Sequence, residues 1–251
     1  MVIGALVLGS VLIFKGGVAR LGPRQILFCI FVAIVGTILP NMVSYEAAIH
    51  LPAGVLSIII AAVPIFSFPI ALAIGIDRFS WKRLLGLVVG LVGVGFLAAP
   101  ETIPGLSLWV LIGLLSPALY AIEGNGVAKM GTFGLDFVTV IFGASVIGAV
   151  ITFPIALLSG TWINPIHPWT GPDFAIVISS TLHAVVYVSY IWMVGRAGPV
   201  FAAQVSYLVT GFGVLWSMLF LNETYGLGIW IALVFMGCGL FLVQPRQAKN
   251  A

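Results

Sequence analysis

The stretch YEAAIHLPAGVLSIIIAAVPIFSFPIALAIGIDRFSWKRLLGLVVGLVGVGFL, residues 45–97, decides the fold. It holds two apolar runs, about 53–76 and 82–99, parted by Asp77, Arg78 and Ser80. Each run is near the ~20 residues that a helix needs to cross ~30 Å of hydrocarbon. Pro64 and Pro69 sit inside the first run. A proline removes a backbone donor and clashes with the carbonyl four residues back. In lipid that carbonyl must be satisfied by protein or by a water-filled cavity. Pro40 and Pro117 make the same demand near the middle of two other runs. The three mid-span prolines therefore point to a central, partly wet cavity, with Pro64 on its wall. Pro69 lies nearer the end of its run and reads as a kink.

Outward from this stretch the composition is uniform. Of 251 residues, 61% are hydrophobic and 7% charged, and the mean hydropathy is +1.23. Soluble domains carry about 25% charged residues, so lipid must be the solvent for most of this chain. The net charge of +3 is spread too thinly to form a phosphate-binding face, which excludes nucleic acid as a partner. Cys29 and Cys238 each fall in an apolar run and read as small buried side chains. The opening MVIGALVLGSVLIF has neither the basic start nor the cleavage site of a secretory signal.

Further apolar runs occupy about 26–48, 106–128, 137–158, 173–194, 199–221 and 226–244. With a short run at 1–14 these predict an all-α membrane protein of about nine transmembrane helices. On that map all ten Lys and Arg fall on one side: Lys15, Arg20, Arg24, Arg78, Lys82, Arg83, Lys129, Arg196, Arg246 and Lys249. The other side holds Glu46, His50, Glu101, His167, Asp173 and Glu223. The positive-inside rule places the basic side, and the C-terminus, in the cytoplasm of a cell-membrane protein. Met1 then lies outside, and the short first run reads as the remnant of a ten-helix architecture lacking its first helix.

The chain also repeats itself. LVGVGFLAAP (91–100) is similar to FMGCGLFLVQP (235–245), with Gly93 and Gly95 matching Gly237 and Gly239. Asp77 and Glu223 end the preceding spans and fall on opposite sides of the map. Related pieces of opposite orientation are the mark of inverted-repeat transporters, whose sites lie near the midplane. Residues 45–97 resemble the repeat of the EamA-type transporters of the drug/metabolite transporter superfamily. Tyr45, Ala47, Pro64, Asp77, Arg78, Ser80, Gly86, Gly90 and Gly93 occupy its motif positions, with aspartate where glutamate is more usual. Residues 187–242 resemble a second copy, with Thr210 and Gly211 where a proline often stands. The resemblance implies two inverted five-helix repeats, here 1–100 and 101–251, the first shortened at its N-terminus. It also implies export or import of amino acids, nucleosides, sugars or drugs.

Candidate substrate-binding residues follow from polar side chains within spans. Tyr120 and Glu123 share a helix face with Ser116 and Pro117. A carboxylate at mid-membrane costs about 2.5–3.5 kcal/mol on insertion scales, so Glu123 needs a cavity or a partner, and Asn125 and Lys129 lie near it in sequence. His183, Tyr187 and Tyr190 form a helical stripe, and Gln204, Tyr207 and Thr210 a second mixed face. Asn41 and Tyr45 end the 26–48 run. Packing between helices explains each of these faces as readily as ligand contact does. Gly86, Gly90 and Gly93 read as a stripe for close helix approach. Glu46 and His50 lack a third metal ligand, so no metal is expected.

No P-loop, H-E-x-x-H or G-x-S-x-G occurs, which leaves an intramembrane enzyme or an ATP-driven pump without machinery. The expectation is a secondary transporter working by alternating access. Its partners are a small-molecule substrate, the lipid bilayer and a proton or other coupling ion carried at Glu123 or His183, and it needs no cofactor. The weak charge of the cavity residues favours a neutral or zwitterionic substrate. The competing expectation is an inactive, transporter-like scaffold without a polar cavity.

Overall fold

The computed structural model describes residues 1–17, 20–98, 106–160, 162, 164–222, 224 and 227–242, which contain helices and no strand. Glu101, Glu223, Arg246 and Lys249 of the charge map lie outside the described residues, as do Pro100 and Pro245. The helices are α1 (Val2–Phe14), α2 (Pro23–Ala33), α3 (Leu39–Ala48), α4 (Ala53–Ile60), α5 (Val63–Ala73), α6 (Trp81–Ala98) and α7 (Leu106–Gly113). They continue with α8 (Leu115–Met130), α9 (Phe137–Leu158), α10 (Gly171–Ala197), α11 (Pro199–Ala202), α12 (Val205–Leu221) and α13 (Leu227–Leu242). A π-wound turn, Ile34–Ile38, joins α2 to α3.

Among the described residues six stretches are long and apolar enough to cross a membrane: Pro23–Ala48, Ala53–Ala73, Leu108–Met130, Phe137–Leu158, Gly171–Ala197 and Pro199–Leu221. Val2–Phe14 is a shorter apolar helix, and α6 and α13 occupy the two remaining apolar runs. Large apolar side chains cover the outside, with Leu158 at 89% exposure and Phe14 at 91%. Such a surface is tolerable in lipid and not in water.

The three mid-span prolines disturb their helices in the way that their chemistry dictates. The carbonyl four residues before Pro40 belongs to Gly36, inside the π-wound turn. For Pro64 it belongs to Ile60, the last residue of α4, and for Pro117 to Gly113, the last residue of α7. Before Pro64 the chain tightens: the Ala61 and Ala62 amides donate to Ile58 and Ile59 at 3.0 Å, three residues back. Ala61 and Ala62 keep right-handed helical dihedrals, so the predicted break is a turn of tighter winding rather than an unwound segment. Pro69 and Pro154 sit inside α5 and α9 without ending them. A second tight turn lies between α11 and α12. There the Gln204, Ser206 and Tyr207 amides donate to Phe201, Ala203 and Gln204, again three residues back.

The chain forms two compact units. The first comprises Met1–Ile38 and Met130–Trp192. In it α1 and α2 both pack on α9, around buried Phe28, Cys29, Val32, Val140, Ile141 and Ala144. Gly143 lets the Cys29 thiol approach, since a Cβ there would lie 2.8 Å from its Sγ. Cys29 is thus buried as its apolar context suggested, whereas Cys238 is exposed on the protein's surface. Asp136 caps α9: its Oδ1 accepts from the Val138 and Thr139 amides at 3.0 and 3.1 Å, and its Oδ2 accepts from the Thr139 hydroxyl. Partial burial raises the Asp136 pKa, but these bonds from Thr139 and Val138 and the charge of Lys15 outweigh it, so the net shift is downward.

The second unit comprises Leu39–Lys129 and Met193–Ala251. Here α5 ends in a left-handed Gly75, φ 73°. The Gly75 amide donates to Leu72 and the Ile76 amide to Ala71, both at 3.1 Å, which is the paired bonding of a Schellman cap. Ile76 then folds onto the buried cluster of Phe68, Ala71, Leu87 and Val200. Asp77 accepts the Arg78 amide at 2.8 Å and pairs with Arg83 at 2.5 Å, bracing the turn into α6. Helices α6 and α13 are in extensive contact. A Cβ on Gly239 would lie 2.7 Å from the Gly86 carbonyl oxygen and 2.9 Å from the Gly90 nitrogen. The glycine stripe read from the sequence therefore brings together the two helices whose motifs match.

Candidate functional site

Within the second unit, both tight turns and α8 come together. Val63, Ala121 and Ala203 form one buried cluster, with Ile60, Phe66, Ile70 and Tyr120 packed against it. Val63 follows the turn that Pro64 imposes, and Ala203 lies in the α11–α12 turn. Around this apolar frame stand side chains that a membrane core rarely admits. Glu123 and Asn125 are 0% exposed, Gln204 1% and Thr210 0%.

Their hydrogen bonds fix their orientations. The Asn125 Nδ2 donates to the Ser67 Oγ at 2.9 Å, the Ser67 carbonyl at 3.2 Å and the Ala121 carbonyl at 2.8 Å. Carbonyls only accept, so the amide nitrogen must face them and Oδ1 must point away. The Gln204 Nε2 donates to the Val200 carbonyl at 3.3 Å, which frees Oε1 in the same way. The Thr210 hydroxyl donates to the Ser57 carbonyl at 2.6 Å and lies 2.9 Å from that of Ser206. Thr210 thus ties α12 to α4. The Tyr207 side chain packs on Ile58 and Ala61 and lies across Gly90, where a Cβ would come 2.5 Å from its ring. Asn125 Oδ1, Gln204 Oε1, Ser206 Oγ and Tyr207 OH are buried and have no hydrogen-bond partner among the described residues. No Lys or Arg is among the buried side chains described.

Beside this cluster a pocket of about 190 Å³ is lined by Ser44, Leu56, Ser57, Ile59, Ile60, Gly113 and Val209. Its serine hydroxyls are engaged: Ser44 with Ser116 at 2.9 Å and Ser57 with the Ala53 carbonyl at 3.1 Å. The wall that remains is mostly apolar.

Of the residues singled out by sequence, Pro64, Glu123, Gln204, Tyr207 and Thr210 are buried and Tyr120 half-buried, all in this unit. Asn41 is half-buried on α3, while Tyr45 is 71% exposed. His183 and Tyr187 belong to the first unit, where their rings lie 5.5 Å apart. Tyr187 is buried and His183 exposed. His50, weighed above with Glu46, stacks on Trp109 with ring centroids 3.7 Å apart. Sequence reasoning passed over Ser67 and Ser206 and left Asn125 as a mere neighbour of Glu123. The signal was present in EGNG and QVSY, polar side chains inside apolar spans, but which of them lack partners depends on tertiary packing.

Two stretches of the chain, residues 1–99 and 107–244, match the model of the EamA-like transporter family. No curated protein matches. Among solved structures, 24 chains match. One, described as "Crystal structure of protein", aligns with a TM-score of 0.73 at 15% identity, over 96% of this chain and 84% of its own. That likeness is one of fold. The family match spans nearly the whole sequence in two copies, and this all-helical, multi-pass chain belongs to the EamA-like transporter family, within the drug/metabolite transporter superfamily.

Proposed function

We propose that the protein is a secondary transporter that carries a small, neutral or zwitterionic solute across the cell membrane by alternating access. One observation carries this reading. Glu123, Asn125 and Gln204 are fully buried beside two tightened turns in apolar helices. Intramembrane ionisable and amide groups are expensive and are retained where they meet a substrate or ion path. Helices that change their winding near the midplane are also where secondary transporters build their sites. In this reading nine helices span the bilayer as two inverted repeats, 1–100 and 101–251, with the basic loops and the C-terminus in the cytoplasm. Glu123 carries the coupling proton, Pro64 shapes the path, and the chain performs no covalent chemistry.

The test uses purified full-length protein in proteoliposomes enclosing a pH-sensitive dye. An imposed solute gradient should drive proton movement for at least one of a set of amino acids, nucleosides and sugars. Glu123→Gln should abolish that movement while incorporation stays normal. Proton flux equal to that of empty vesicles for every solute would overturn the coupled-transport reading.

A further inference from the structure

We infer that Asn125, Gln204, Ser206 and Tyr207 form the recognition site for an uncharged solute rich in hydrogen-bond donors, such as a polyol or a nucleoside. The inference rests on the transport reading and says what the carrier selects. A buried polar atom left without a partner loses its hydration and gains nothing in return. Four such atoms lie on α8 and on the first turns from the α11–α12 junction. Their helices meet in one apolar cluster through Ala121 and Ala203. Asn125 is one turn along α8 from Ala121, and Gln204 directly follows Ala203.

The chemistry of the four atoms narrows the ligand. The amide nitrogen of Asn125 is committed to the Ser67 and Ala121 carbonyls, and that of Gln204 spends one of its two hydrogens on the Val200 carbonyl, so both residues present an unpartnered carbonyl oxygen. Those two oxygens accept and do not donate. They call for hydroxyl or amine hydrogens on the ligand. The Ser206 and Tyr207 hydroxyls can accept or donate, which suits a ligand hydroxyl that does both. An anionic group is excluded on two grounds. No buried Lys or Arg is present among the described residues to neutralise it, and Glu123 adds a buried carboxyl on the same helix. The N-terminus of α12 does not compensate, because the Ser206 and Tyr207 amides are spent on Ala203 and Gln204.

The experiment measures thermal stabilisation of the full-length protein in detergent by two matched pairs: uridine with uridine monophosphate, and glucose with glucose 6-phosphate. At least one uncharged member should raise the melting temperature, and its phosphorylated partner should not. Tyr207→Phe removes one unpartnered hydroxyl at constant shape. The variant should melt no lower than the wild type and bind the stabilising solute roughly 3- to 10-fold more weakly, the loss of one hydrogen bond. Gln204→Met should weaken binding similarly. Stabilisation by a phosphorylated member, no response to either uncharged member, or unaltered binding in Tyr207→Phe would overturn the site. Proteoliposome transport of some other solute, undiminished in Tyr207→Phe, would also overturn it while leaving the transport reading standing.

Discussion

Asn125 and Asp136 show how far single side chains determine this protein. Asn125 links α8 to α5 through two contacts to Ser67 and makes a third within α8, to the Ala121 carbonyl. Asn125→Leu removes those bonds from a fully buried position and should lower unfolding free energy by about 1–3 kcal/mol, read by denaturation in detergent. Asp136 acts at the end of a span. Its carboxylate form is favoured by the cap, so its folded pKa lies below the unfolded value of about 3.9. The cap's contribution is therefore complete above that unfolded value and is lost as pH falls through the folded one. Asp136→Ala should cost about 1 kcal/mol at pH 7. The difference from the wild type should shrink on acidification below about pH 4, which thermal unfolding at a series of pH values would show. Sequence alone exposed Glu123 and Gln204, because a polar residue in an apolar span is conspicuous. It did not rank Asn125 or Ser206 with them, since an amide bonded on one side and bare on the other differs from its neighbours only once the helices are packed. It also gave Tyr45 a place in the site, and that side chain is 71% exposed.

At the scale of elements, prolines and glycines account for most of what departs from regular helix. Winding changes fall at the carbonyls four residues before Pro40 and Pro64, and α7 ends at the carbonyl four residues before Pro117, as sterics require. These sites were readable in advance, although the form of each, widened in one case and tightened in another, was not. The tight turn at Ala203 and Gln204 has no proline within it, so nothing in the local sequence announced it. The glycines allow a sharper test. Gly239 meets the backbone of α6, where a Cβ would be 2.7 Å from an oxygen, whereas a Cβ on Gly237 would meet nothing within 4 Å among the described residues beyond its own helix backbone and chain neighbours. Gly239→Ala should destabilise by about 1–3 kcal/mol through overpacking. Gly237→Ala should be neutral or stabilise by up to about 1 kcal/mol through helix propensity. Melting temperatures of the two variants, compared in one detergent, check both. The repeat motif had matched these glycines as equals, because periodicity shows which positions share a face and not which one touches backbone.

At the scale of the whole molecule, composition was decisive for the class, since 7% charged residues cannot clothe a soluble surface. Order of motifs along the chain carried the family, which the two matched stretches bear out. Topology makes its own prediction. In a variant lacking Cys29 and Cys238, single cysteines at positions 78 and 196 should react with an impermeant maleimide only after the cytoplasmic face is opened, and labelling from outside in intact cells would refute the assigned orientation. Substrate identity was not legible from sequence, because apolar spans of the same pattern can enclose different polar atoms. The most direct test of the central claim is initial-rate uptake of labelled amino acids, nucleosides and sugars into proteoliposomes holding the wild type or Glu123→Gln. The account predicts that at least one solute enters faster than into empty vesicles, and that Glu123→Gln slows it about tenfold or more, a barrier change of about 1.4 kcal/mol. Uptake equal to empty vesicles for every solute, or undiminished uptake in a normally inserted Glu123→Gln protein, would contradict it.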